Sequence, residues 1–137
     1  MGFASHFPLY CPPDAARPAN HTVYRFFDKL PPKLKELRSH KERDLEREVT
    51  KEYDDECDYC SVSVYTNLID MKKLSEAIPD LKRKKIGQCV LNNNDGVILN
   101  TPTNAEEKYG VLESHHSWWK QEGCNFTDRF IQCNESI

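Results

Sequence analysis

The stretch SVSVYTNLIDMKKLSEAIPDLKRKKIGQCVL, Ser61 to Leu91, carries both periodicities from which a mixed fold can be read. SVSVYT alternates apolar and polar residues with period two, the pattern of a half-buried strand. The residues that follow change period. Leu74, Ala77, Ile78 and Leu81 fall on one helical face, and Pro79 invites a break because it lacks the backbone donor a helix interior needs. IGQCVL then returns to a strand. After it, NNND ahead of Gly96 separates this run from GVIL, and Asn, Asp and Gly tolerate the positive φ of tight turns, so the two runs predict a hairpin.

Working outward toward the N-terminus, HTVYRFF (His21 to Phe27) is β-branched and aromatic and predicts a strand. LPPKLKELRSHKERDLEREVTKEY opens with prolines suited to a first helical turn. Leu34, Leu37, Leu45 and Val49 keep helical spacing apart from a missing step near Lys41. DDECDYC reads as an acidic, turn-prone junction. Toward the C-terminus, NTPTNAEEKYG reads as a loop, with closing strands expected in GVLE and FTDRFIQC. This order predicts an α+β fold: a single compact domain with a mainly antiparallel sheet and two helices. Residues 1–20, broken by Pro8, Pro12, Pro13 and Pro18, are expected to form an irregular N-terminal arm before a single domain at 21–137.

Composition narrows the function classes. Of 137 residues, 38% are hydrophobic and 30% charged, so the core is small but adequate for one domain. A formal net charge of -3 supplies no global basic field for nucleic acid. The local run Lys82 to Lys85 is read first as cations at a helix end, where they complement the macrodipole, and second as phosphate contacts. No run approaches 18 apolar residues, and the first residues lack a basic start followed by an apolar core. His6 also stands where a myristoylation signal wants Ser or Thr. A cytoplasmic, membrane-free protein is therefore expected. On that reading the Asn-X-Ser/Thr sequences at Asn20, Asn125 and Asn134 are chance matches. The six cysteines are then free thiols, buried small hydrophobes or metal ligands. In an exported chain both readings reverse together.

Cys57 and Cys60 form one Cys-X-X-Cys, a spacing that suits two thiolates on structural zinc. Two further ligands would have to come from Cys124, Cys133, His115 or His116. The surrounding Asp54, Asp55, Glu56 and Asp58 oppose a reactive thiolate, and inert cysteines remain the favoured reading. SHHSWWK, Ser114 to Lys120, concentrates both tryptophans beside adjacent imidazoles. In an extended strand His116 shares a face with Trp118, and His115 with Ser117 and Trp119. One face could be core while the other forms a groove wall, with indole for stacking and imidazole as acid, base or hydrogen-bond partner. A plain half-buried strand weighs equally.

Arg25 on an early strand, followed by a Ser-X-Ser strand (Ser61, Ser63) leading into a helix with Glu76 and Ala77, resembles the opening of ADP-ribosyltransferase-like folds. The resemblance covers about half the chain. It implies NAD as the ligand, with Arg25 on phosphate or ribose and Ser61 and Ser63 shaping a nicotinamide pocket. It also implies a late catalytic group, for which Glu113, His115 and His116 are the candidates, although none has the family's spacing. Glycine-rich phosphate loops, the Gly-X-Ser-X-Gly elbow and His-Glu-X-X-His are absent from the sequence. The favoured expectation is a binding module that presents residues 114–119 and Arg25 to a protein partner or a small anionic ligand. Trp118, Trp119 and Arg25 would be its anchors. The nucleotide-using enzyme is the alternative.

Overall fold

The computed structural model describes residues 3–46, 56–104, 110–123 and 125–135. The alternating segments become strands as the side-chain periods require. These are β1 (Arg17–Pro18), β2 (Thr22–Phe27), β3 (Val62–Tyr65), β4 (Lys85–Val90), β5 (Gly96–Asn100), β6 (Thr103–Asn104), β7 (Val111–Leu112), β8 (His115–Lys120) and β9 (Ile131–Gln132). Among the described residues three helices accompany them: α1 (His40–Glu46), α2 (Glu56–Tyr59) and α3 (Leu68–Ala77). Seven strands form one antiparallel sheet in the order β1-β5-β8-β3-β2-β4-β9, and β6 pairs with β7 apart from it. The α+β expectation with a mainly antiparallel sheet and one compact domain therefore holds.

The expected hairpin between β4 and β5 does not form. β4 pairs with β2 and β9, whereas β5 pairs with β1 and β8. The turn chemistry was read correctly, since Asp95 N–H donates to the Asn92 carbonyl at 3.1 Å and Gly96 has φ +108°. The turn instead carries the chain from one half of the sheet to the other. A Cβ at Gly96 would lie 2.1 Å from the Trp119 carbonyl oxygen, so only glycine fits this crossing.

The sheet must curl strongly. Four strand spacings separate β1 from β2, about 19 Å if flat, yet residues 19–21 join them and reach at most about 15 Å. Curling wraps the sheet around a core of Val23, Phe27, Val62, Val64, Cys89, Leu91, Ile98 and Trp118, closed by Phe126 and Phe130. The arm is part of this structure. Residues 3–16 contain neither strand nor helix, but Arg17–Pro18 adds an edge strand and Ala19 is fully buried.

The first predicted helix is divided. Leu34–Leu37 is a 3-10 turn, and α1 starts separately at His40. The missing step near Lys41 has a local cause. Glu42 N–H donates to Ser39 Oγ at 3.1 Å and Ser39 N–H donates to Glu42 Oε1 at 3.1 Å, the reciprocal capping pair of a Ser-X-X-Glu helix start. The stretch expected to continue to Tyr53 lies outside the described residues beyond Glu46. In α3, Asn67 caps Ile69 N–H at 2.9 Å, and Pro79 opens a 3-10 turn to Arg83 where the break was expected. The buried face of α3 is Asp70, Met71 and Ser75, not the Leu74–Ile78 face read from spacing. Ile78 is exposed.

Candidate functional site

Strand β8 places the imidazole-indole segment at the middle of the sheet, flanked by β5 and β3, with elements packed on both faces. Both tryptophans are core residues, which corrects the expectation that one of them walls a groove and that they anchor a ligand. Trp118 is 0% and Trp119 1% exposed. Trp118 Nε1 donates to the Asp95 carbonyl at 2.9 Å, and Trp119 Nε1 donates to the Cys57 carbonyl at 2.8 Å. Each indole buries its area and satisfies its one donor on backbone, the usual condition for a buried Trp.

The two histidines diverge. His115 is buried and its Nδ1 lies 2.7 Å from the Thr101 carbonyl, which can only accept. In the neutral ring Nδ1 therefore carries the proton. Burial lowers the His115 pKa, outweighing the Thr101 carbonyl and Asp58, so the ring is neutral at pH 7. Thr101 Oγ1 stands 2.9 Å from Ser117 Oγ, which donates to Asp58 Oδ1 at 2.7 Å. This chain fixes the strand against α2. His116 projects to the opposite side. Its Nδ1 donates to the Ser114 carbonyl at 2.7 Å, and the ring lines an open hollow of about 620 Å³ with Glu113, Asp70 and Lys73. The structure thus brings His116 and Glu113 together and sends His115 elsewhere, so the three do not form one catalytic group.

Arg25 occupies a different hollow of about 470 Å³, where Arg25, Lys35, Arg38, Arg43 and Lys84 face Asp28 and Glu36. Five cations meet two carboxylates in a chain whose net charge is negative. The 3-10 turn builds this wall. Leu37 inserts into the core at 1% exposure, which leaves Lys35 and Arg38 along the hollow, and α1 adds Arg43. Both carboxylates are already engaged. Glu36 accepts Asp28 N–H at 2.8 Å and Lys33 N–H at 3.2 Å, and Asp28 lies 3.1 Å from Lys84 Nζ.

The guanidinium of Arg25 is held by carbonyls. Its Nε donates to Glu36 O at 3.2 Å and Nη1 to Ser63 O at 2.6 Å. Burial, followed by repulsion from Arg43, pushes its pKa down to about 10, so it stays charged at pH 7. A second hollow of about 500 Å³ continues the basic surface. It shares Phe26 and Lys84 with the first and adds Lys72, Lys82 and Lys85. The Lys82–Lys85 run was read first as a helix end, and Lys35, Arg38 and Arg43 fall in the segment read as one long helix. Their convergence depends on the break at Ser39, signalled only by Ser39-X-X-Glu42.

Of the Ser-X-Ser pair, Ser63 reaches Arg25 through its carbonyl. Ser61 is buried and donates to the Asp58 carbonyl at 2.6 Å. Both serines line a small hollow of about 210 Å³ with His40, Asp58 and Tyr59, separate from the Arg25 hollow. Cys57 is bonded to Cys11 with an S–S distance of 2.06 Å, which corrects its assignment as a zinc thiolate. Cys60 is a buried thiol whose pKa burial pushes up to about 11, far from the thiolate a metal needs. Among the described residues no group of three or more His, Cys, Asp or Glu is placed to hold a metal ion. No helix among them is long and apolar enough to cross a membrane. Comparison of the chain with family models, curated proteins and solved structures finds no match.

Proposed function

We propose that this chain is a binding module for a small anionic ligand, bound in the hollow around Arg25 and not along the His-Trp strand. One observation carries the reading: five cations line a concavity with two carboxylates, of which Asp28 pairs with Lys84 and Glu36 accepts two backbone N–H groups. Arg25 is pre-positioned by backbone carbonyls, which orient a guanidinium without neutralising it. A phosphate or sulfate oxygen would supply the missing countercharge with charge-assisted hydrogen bonds. Arg38 and Arg43 would complete the cradle. The disulfide between Cys11 and Cys57 favours an oxidising compartment over the cytoplasm expected from the N-terminus.

The test is titration with inorganic phosphate, pyrophosphate and sulfate, read by calorimetry and by melting temperature at constant ionic strength. A ligand at 100 times its Kd stabilises by about 2.7 kcal/mol. Arg43→Gln and Arg38→Gln should each weaken binding about tenfold or more, while Lys73→Gln, in the His116 hollow, should leave it unchanged. No heat and no melting shift at millimolar concentration of all three anions would end the proposal.

A second reading, the nucleotide-using ADP-ribosyltransferase-like enzyme, is favoured by the contact between Arg25 and Ser63 of the Ser-X-Ser strand. It asks for a late acidic group near that contact, whereas Glu113 lines the hollow of His116. Nicotinamide release from NAD would establish it, and binding of phosphate without any release separates the two readings.

A further inference from the structure

We propose that Asn125 is an acceptor for an N-linked glycan. Asn125-Phe126-Thr127 has the acceptor sequence, and the case against it was a cytoplasmic location. The bridge between Cys11 and Cys57 removes that premise, because structural disulfides belong to the exported route on which such glycans are added.

The local geometry suits the transfer. Asn125 is exposed. Its Oδ1 accepts Thr127 Oγ1–H at 2.6 Å and Thr127 N–H at 3.0 Å. Those two bonds hold the carboxamide oxygen inward and draw electron density toward it. The amide nitrogen becomes easier to deprotonate and points away from the hydroxyl. The neighbouring residue anchors the loop: Phe126 is 3% exposed, with its ring 4.8 Å from that of Trp118 and the Arg129 guanidinium 5.3 Å from its centroid. The side chain on one side of the acceptor is thus core, and the acceptor itself faces water, where a bulky glycan displaces nothing.

The co-reactant is a polyprenyl-diphosphate-linked oligosaccharide. The Asn125 Nδ2 to anomeric carbon bond forms as the bond from that carbon to the diphosphate oxygen breaks. The diphosphate leaves with the bonding pair, and one amide proton passes to a base of the transferring enzyme. Asn20 and Asn134 carry the same sequence signature, but the third residue of the latter, Ser136, lies outside the described residues. The proposal is confined to Asn125.

The experiment is translation of the full chain behind a cleavable leader into microsomes. Enzymatic glycan removal in heavy-oxygen water and peptide mass mapping follow. The expected result is conversion of the acceptor asparagine to labelled aspartate in the peptide carrying Asn125, lost in Thr127→Ala and retained in Thr127→Ser. The two bonds between Asn125 and Thr127 lie within three residues and need no tertiary contact, so a variant that fails to fold still reports on transfer to the nascent chain. Imported chain whose Asn125 peptide is entirely unlabelled would overturn the proposal. So would labelling that survives Thr127→Ala.

Discussion

Arg25 and Arg129 are both partly buried among polar groups, and they are held in opposite ways. Arg129 makes a two-pronged ion pair, Nη1 and Nη2 lying 2.6 and 2.7 Å from the two oxygens of Asp95. That carboxylate is almost fully buried and also accepts Asn92 N–H at 2.7 Å. The pair fixes the corner where the chain crosses the curled sheet and where Trp118 finds its acceptor. Arg25 has two carbonyls for partners and Arg43 for a neighbour. A guanidinium bonded to a carboxylate is a finished structural unit, whereas one oriented by carbonyls keeps its charge available. The comparison teaches that the kind of acceptor, more than depth of burial, separates a structural arginine from one suited to an anion.

The largest way to break this contrast is Arg129→Met. It strands the Asp95 carboxylate, and an unpaired buried charge costs about 3–5 kcal/mol. The lower end, about 3 kcal/mol, is expected in urea unfolding because about a third of the Arg129 side chain stays in water. A loss under about 1 kcal/mol would show the pair to be no more structural than Arg25. Gly96→Ala should come next, at about 2–3 kcal/mol, since it adds left-handed backbone strain to the collision with the Trp119 carbonyl.

Acid sharpens the comparison. Burial works against the Asp95 charge, but the hydrogen bonds from Arg129 and from Asn92 N–H outweigh it and hold the carboxyl below its ordinary range. A carboxylate depressed on folding stabilises at pH values above its unfolded pKa, near 3.9. That contribution is lost as pH falls through the lower folded value. Wild type should therefore lose stability below about pH 4 by a component that Arg129→Met lacks, seen by comparing their melting temperatures from pH 6 to 2. The smallest effect belongs to Arg25→Met. Its guanidinium is desolvated and hydrogen-bonds to carbonyls, not to a carboxylate, so an apolar side chain of similar length should change stability by less than about 1 kcal/mol. The same variant should lose anion binding. A loss of stability as large as that of Arg129→Met would make Arg25 a structural residue.

Much of the fold was legible because strands and helix starts are written locally. SVSVYT, HTVYRFF and the break at Pro79 all appear where their periods and proline chemistry put them. Ser39-X-X-Glu42 was equally legible as a helix start and went unread, because Leu34, Leu37, Leu45 and Val49 were taken as one helical face despite the missing step near Lys41. The candidate site was less legible. Arg25 was singled out on a weak resemblance, and its cationic neighbours come from separate segments between Lys35 and Lys84. Glu113 and His116 were named together and do share a hollow, but His115 turns to the other face because successive residues of a strand must.

The sequence by itself determined the mixed α+β class, the segments that alternate and the residues that cap or stop them, because these follow from backbone geometry within a few residues. Only the tertiary structure decided the order of strands, the burial of both indoles, the Cys11–Cys57 bridge and the gathering of cations around Arg25. Alternation says that Trp118 and Trp119 point to opposite faces, and it is silent on whether either face is open. The tertiary structure answers that by covering both: Trp118 lies in the core that the curled sheet encloses, at the Asp95 crossing, and Trp119 meets α2.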